Sequence, residues 1–318
     1  MVSESIIQGL LTQDKRAISR CISLTENDEK EASEILKKIS TKIGKAYRIG
    51  VTGPPGAGKS TITNQLTKLL RTKKLKVGII AVDPTSPFTG GALLGDRVRM
   101  NEIGNDEGVF IRSMATRGSL GGLSKKTTDA ADILDASGFD YIIMETVGVG
   151  QSELDIAQNA DTTIVVLVPE SGDSVQAMKA GLMEIADLFV LNKSDRPGAQ
   201  QAITALKTIL MMKEHTENSW LPDIIKTVAS EGEGIKEIYE AIISHRDFMI
   251  KSESFYPKRQ KQVRARIKEI VEEKLKKKLW NSSIEETLDS SLKNVVLGTL
   301  SPYHIADTIL EKFKKHIH

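Results

Sequence analysis

The sequence predicts an α/β fold: a mostly parallel sheet with helices on both faces, plus helical extensions at the N- and C-terminal ends. Three observations point to it. Short, nearly continuous apolar runs recur through the middle of the chain, among them KVGIIAVDP, DYIIMETVG, TTIVVLVP and LFVLNKSD. Strands buried on both faces read this way, and helix-compatible stretches alternate with them, as parallel crossovers require. The runs also end in polar residues, Asp83, Glu145 and Asn192, while a further run, YRIGVTG, opens into VTGPPGAGKST at Val51–Thr61. Ligands of parallel sheets sit outside the carboxyl ends of the strands. These four ends therefore mark one site.

The elements follow in order. Residues 1–46 read as an N-terminal helical extension. Ile6, Ile7, Leu10 and Leu11 fit helical spacing, as do Ala17, Ile18, Cys21 and Ile22, and the polar stretch TENDEK separates them from EASEILKKISTKI. Residues 47–245 read as the nucleotide-binding domain, with the helix TITNQLTKLLRTKK directly after the glycine-rich loop. Residues 246–318 read as a C-terminal helical arm, in which KSESFYPKRQKQ, from Lys251, is followed by a long charged helix, QVRARIKEIVEEKLKKKLW. Its apolar residues Val263, Ile267, Ile270, Val271, Leu275 and Leu279 fall on one stripe. That stripe fits a helix packed on its own domain and equally an arm that pairs with a second subunit.

Composition excludes several classes. Among 318 residues, 40% are hydrophobic and 27% charged, enough for a packed core in a soluble protein. A formal net charge of +2 gives no electrostatic case for nucleic acid or a membrane surface as the main partner. No apolar run approaches the roughly 18–20 residues of a spanning helix. The start of the chain has neither the layout of a secretory signal nor the acid-poor composition of a transit peptide, so a cytoplasmic protein is expected. With Cys21 alone, neither an internal disulfide nor a cysteine-rich metal site is available.

The chemistry starts at Gly53, Pro54, Pro55, Gly56, Ala57, Gly58, Lys59, Ser60 and Thr61, which satisfy G-x-x-x-x-G-K-S/T between a strand and a helix, the P-loop context. Glycines let backbone N–H groups turn toward phosphate oxygens, and the helix N-terminus adds its positive end. Lys59 is placed to reach the β- and γ-phosphates and Ser60 to ligate Mg²⁺. The base follows from Asn192, Lys193 and Asp195, the N-K-x-D pattern of GTP-binding proteins. A carboxylate at Asp195 accepts from the guanine N1–H and exocyclic amine, whereas adenine would leave it unpaired at a cost. The Lys193 stem can lie along the base. TVASEGEGI resembles the S-A-x-x-G-x-G-I segment of GTPases, which puts Val228, Ala229 and Ser230 beside the base. That resemblance makes the Ala229 N–H the expected donor to guanine O6, and Val228 stands where serine is usual.

A γ-phosphate sensor is expected in ETVGVGQSE. It follows D-x-x-G logic with Glu145 near Mg²⁺ and the Gly148 N–H aimed at the γ-phosphate, so losing that phosphate would release the loop. Asp83 and Asp96 supply two more carboxylates, though Mg²⁺ retains several waters and need not touch every acid. Asp96 is also compatible with a helix cap. Arg97, Arg99 and Arg117 could offset transition-state charge or be ordinary surface arginines.

Together these pieces resemble the MeaB/ArgK/MMAA GTPases, within the wider class of signal-recognition and metallochaperone GTPases. GPPGAGKST, VDPTSPFTGGALLGDRVRM, RGSLGGLSKKT, ETVGVGQSE and LNKSD carry the resemblance. It extends from LLTQDKRAISRCISL near the start to SPYHIADTIL near the end. The resemblance implies a G-protein chaperone of an adenosylcobalamin-dependent acyl-CoA mutase, typically methylmalonyl-CoA mutase. Such a protein gates cofactor loading and protects the mutase from inactivation. GTP is hydrolysed to GDP slowly until the mutase stimulates it. The same resemblance implies a Mg²⁺ site of Ser60 with Asp83, Asp96 and Glu145, and a third switch at PESGDSVQAMKAG. There Lys179 matches a lysine of mutase-stimulated hydrolysis, although Glu170-Ser171 replaces the commoner small residues. It also implies a homodimer made through the C-terminal arm. Two alternatives have specific obstacles. A nickel-enzyme maturation GTPase needs clustered Cys and His, and here one cysteine and five histidines are scattered. A nucleotide-dependent kinase tolerates ATP, which N-K-x-D disfavours.

Overall fold

The computed structural model describes residues 3–27, 29–83, 101–115, 122–146, 152–169, 181–212 and 219–317. Seven strands form one parallel sheet: β1 (Tyr47–Thr52), β2 (Val77–Asp83), β3 (Val109–Ala115), β4 (Tyr141–Thr146), β5 (Thr162–Leu167), β6 (Leu188–Asn192) and β7 (Asp223–Thr227). Their spatial order is β3-β2-β4-β1-β5-β6-β7. The ladder puts Val51 beside Glu145 and Asn192 beside Thr227, so the ends that carry polar residues lie side by side. This is the α/β architecture expected from the sequence.

The helices are α1 (Glu4–Leu11), α2 (Lys15–Asn27), α3 (Glu29–Ile39), α4 (Lys59–Thr72), α5 (Asn101–Gly104), α6 (Gly122–Ala136), α7 (Ser152–Ala157), α8 (Leu182–Ile185), α9 (Ala199–Met211), α10 (Ile235–Lys251), α11 (Phe255–Leu279), α12 (Ser282–Val296) and α13 (Pro302–Ile317). Alternate strand residues point to opposite faces, and the core divides accordingly. On one face Ile49, Val51, Ile143, Ile164 and Val166 meet Ile62, Leu66 and Leu70 of α4 and Ile238 and Ile242 of α10. On the other, Ile80, Val82, Ile142 and Met144 meet α6 together with Ile7, Leu10, Ile18, Ile22 and Ile35 of the N-terminal helices. Val165, Leu167, Phe189 and Leu191 are covered by Leu206 and Leu210 of α9.

The N-terminal helices thus share a core with the sheet. Their exit into β1 is pinned by Asp135, whose carboxylate accepts the N–H groups of Gly44, Lys45 and Ala46 at 2.8, 3.1 and 3.0 Å. Cys21 is buried in the same core, and burial pushes its thiol up to about 11. It is protonated at neutral pH.

The chain divides into two compact units, Met1–Arg259 and Gln260–His318. α10 continues to Lys251, and α11 begins at Phe255, within the stretch KSESFYPKRQKQ that precedes the long charged helix in the sequence reading. Arg259 closes the first unit. Its guanidinium donates to both carboxylate oxygens of Asp161 at 2.8 and 2.7 Å and to the carbonyls of Gly44 and Ala46. In the second unit Asn281 caps α12, accepting from the Ile284 N–H, and Ile284, Ile305 and Ile309 form a small core. α11 has no buried residue, and Val263, Ile267, Val271 and Leu275 are each about half exposed.

Candidate nucleotide site

β1 delivers the glycine-rich loop. Gly53 has φ 134°, and a Cβ there would lie 2.1 Å from the Val166 carbonyl oxygen on β5. Gly58 has φ 93°, and a Cβ there would meet the Asn192 amide nitrogen at 2.2 Å. Both positions therefore demand glycine for conformation and for space. The loop hands over to α4 at Lys59, so the N-terminal end of a 14-residue helix faces the space inside the loop. The Lys59 ammonium is buried and donates to the carbonyls of Gly53 and Pro54 at 2.8 and 2.9 Å. It folds across the loop that it is expected to serve. A phosphate entering there would offer charged oxygens in place of neutral carbonyls, a stronger partner for an ammonium.

Ser60, on the first turn of α4, donates its hydroxyl to Oε1 of Glu145 at 2.5 Å. Glu145 is 3% exposed at the end of β4. A hydroxyl oxygen and a carboxylate oxygen converge at the mouth of a phosphate loop. That donor set suits a hard divalent cation such as Mg²⁺. Asp83 ends β2, the neighbour of β4, with its side chain outside the described residues. Asp96, Arg97, Arg99, Arg117, Gly148, Lys179 and the Glu170-Ser171 pair also lie outside them.

The base side is built around Asn192. Its amide nitrogen donates to the Ala57 carbonyl at 2.8 Å, and its Oδ1 accepts from the Thr227 hydroxyl at 3.0 Å and the Ala229 N–H at 3.1 Å. One buried side chain thereby joins the phosphate loop to the segment after β7. The Ala229 N–H, assigned from sequence to guanine O6, is directed at Asn192 in this structure. Val228 is buried and paired with Glu233 in an isolated antiparallel bridge, while Ser230 is exposed. Lys193 adopts φ 57°, uncommon for a residue with a side chain, and its ammonium donates to the Gly56 carbonyl at 2.8 Å. Its stem thus spans from the N-K-x-D turn to the phosphate loop. Asp195 is exposed at the rim of this arrangement.

The structure therefore brings Gly53–Thr61, Glu145, Asn192, Lys193, Asp195 and Val228–Ser230 to the carboxyl ends of the strands. The sequence reading missed Thr227, which shares Asn192 with Ala229, and a pair of buried threonines, Thr52 and Thr146, hydroxyl to hydroxyl at 3.0 Å. Only their adjacency to the motifs could have flagged them.

Comparison with known proteins agrees with this geometry. The family model described as the methylmalonyl-CoA mutase-associated GTPase MeaB matches residues 16–284. A Pyrococcus horikoshii protein that bears the name of a GTPase is 50% identical over 97% of this chain and 98% of its own. The mouse mitochondrial methylmalonic aciduria type A homolog is 32% identical over 98% of this chain and 79% of its own. A crystal structure of an LAO/AO transport system kinase superposes with a TM-score of 0.74 at 29% identity, covering 99% of each chain. With a phosphate loop, a guanine-type turn and a relative that matches end to end, the chain belongs to the MeaB family of methylmalonyl-CoA mutase-associated GTPases.

Proposed function

We propose that this protein is a Mg²⁺-dependent GTPase that works as a homodimer on an adenosylcobalamin-dependent acyl-CoA mutase, gating cofactor loading and protecting the mutase from inactivation. The observation that carries the reading is the family match over residues 16–284, with the phosphate loop and the N-K-x-D turn joined through one asparagine. The mouse relative's name ties it to methylmalonic aciduria, which favours a methylmalonyl-CoA mutase as client.

In this reading the loop N–H groups from Gly53 to Ser60 and the Lys59 ammonium hold the phosphates, and Asp195 with Lys193 selects guanine. Ser60 and Glu145, with Asp83 and Asp96, hold Mg²⁺. The ion, when bound, neutralises charge on the β- and γ-phosphates. Water attacks the γ-phosphorus in line, the bond to the β-phosphate oxygen breaks, and GDP leaves with Lys59 and backbone N–H groups balancing the charge. Gly148 reports the γ-phosphate, and Lys179 couples the partner to hydrolysis. Residues 1–46 support the sheet, 47–245 carry the nucleotide, and 246–318 form the dimerisation arm. The exposed stripe Val263, Ile267, Val271 and Leu275 supports the arm, since an apolar helix face of this length needs a cover.

The kinase-described structure favours a second reading, phosphoryl transfer to another protein. Calorimetry separates the two. Tight binding of GTP with Mg²⁺ and weak binding of ATP supports the GTPase reading, and equal affinities would support a kinase. For the nickel alternative, the described residues hold no cluster of three His, Cys, Asp or Glu that could bind a metal. No helix among them is long and apolar enough to cross a membrane.

A further inference from the structure

The last rung between the two strands that serve the phosphates is closed by side chains. The backbone ladder of β1 and β4 runs from Tyr47 beside Tyr141 to Val51 beside Glu145. One residue further on, Thr52 and Thr146 meet hydroxyl to hydroxyl at 3.0 Å. Thr52 is 0% exposed and Thr146 1%. Their outer neighbours in the sheet are apolar: Val165 of β5 beside Thr52, and Val82 of β2 beside Thr146. The row across four strands is thus valine, threonine, threonine, valine. Valine has the shape of threonine without a hydroxyl to desolvate, so stability alone does not call for two buried hydroxyls in this row.

What distinguishes the rung is its place. Thr52 precedes Gly53, the first residue of the phosphate loop, and Thr146 follows Glu145. The Glu145 side chain lies on the opposite face of β4 from Thr146, 2.5 Å from the Ser60 hydroxyl. A tether directly after Glu145 limits how β4 can shift or twist against β1, and therefore how the carboxylate meets the first turn of α4.

We propose that the Thr52–Thr146 hydroxyl bridge is a positioning device for the divalent cation, holding Glu145 in register with the phosphate loop. This rests on the Mg²⁺-dependent GTPase reading above. Neither threonine is a catalytic residue, because each acts through Glu145 and Gly53.

The test uses the full-length chain with Thr52 and Thr146 both changed to valine. Replacing both partners strands no hydroxyl, so the protein should fold with unchanged or higher stability. GDP affinity is measured by calorimetry in EDTA and in Mg²⁺. The expected result is unchanged affinity in EDTA, with the tightening by Mg²⁺ reduced about tenfold, the scale set by one lost hydrogen bond. The Mg²⁺ concentration for half-maximal GTP turnover should rise by a similar factor. Thr146→Ser alone, which keeps a hydroxyl, should retain wild-type behaviour. A double-valine protein with wild-type Mg²⁺ tightening overturns the inference, as does one that loses GDP affinity equally in EDTA. Wild-type protein whose GDP affinity ignores Mg²⁺ and which hydrolyses no GTP overturns the underlying reading, and this inference with it.

Discussion

Changing Asn192 to alanine should destabilise the protein before any nucleotide is added. The side chain is 3% exposed and makes three hydrogen bonds, to the Ala57 carbonyl, the Thr227 hydroxyl and the Ala229 N–H. The Thr227 hydroxyl can rotate toward another acceptor. The Ala57 carbonyl and the Ala229 N–H cannot, and both belong to residues no more than 1% exposed. Stranding a buried polar group costs about 1–3 kcal/mol, so two of them cost about 2–6 kcal/mol. That is a large part of a domain's typical 5–15 kcal/mol. The assay is urea unfolding without nucleotide. The chain has two tryptophans, and Trp220 packs on His245 within the first unit, its ring centroid 4.9 Å away. In a Trp280→Phe background, Trp220 fluorescence follows that unit alone. At about 1–3 kcal/mol per molar urea, the midpoint should fall by about 0.7 M or more. A midpoint unchanged from that of the wild-type protein would refute the reasoning. It would reduce Asn192 to a base contact felt only with nucleotide bound.

Three further predictions address separate parts of the molecule. Asp195→Asn should leave the urea midpoint unchanged, because the residue is exposed. It should weaken GTP binding about 10–100-fold and favour xanthine nucleotide, following the loss of charged hydrogen bonds worth about 1.5–3 kcal/mol; unchanged GTP affinity in calorimetry would remove Asp195 from the base site. Ile267→Asp with Val271→Asp should convert a dimer to monomer in sedimentation velocity while sparing GDP binding, and a wild-type chain already monomeric at micromolar concentration would contradict the arm assignment. His245 is 2% exposed, and burial pushes its pKa down to about 4 from 6.5. As pH falls the unfolded chain takes up this proton first, so stability is lost between about 6.5 and 4. The loss should reach about 2 kcal/mol by pH 5. His245→Gln should flatten that slope, and an identical slope would place the titration elsewhere.

The central strands were legible because burial on both faces makes them continuous apolar runs. VFIRSMA at β3 and DIIKT at β7 were not. They are the two edges of the sheet, where Arg112, Ser113 and Lys226 break the run. The phosphate loop and the N-K-x-D turn were legible because phosphate and guanine recognition force particular residues at fixed spacings. Asn192 read as a base residue, yet its contacts are with Ala57, Thr227 and Ala229, 135, 35 and 37 positions away. Such a junction depends on strand order, which the local pattern does not encode. The stripe on α11 was visible as a period, but a period does not say what covers it.

The account is tested most directly by GTP turnover of the purified protein in Mg²⁺, with and without an adenosylcobalamin-dependent acyl-CoA mutase from the same organism. The prediction is slow turnover alone and a large rise with the mutase, absent in Lys59→Ala. Tight GTP binding with turnover indifferent to the mutase would contradict the proposed client.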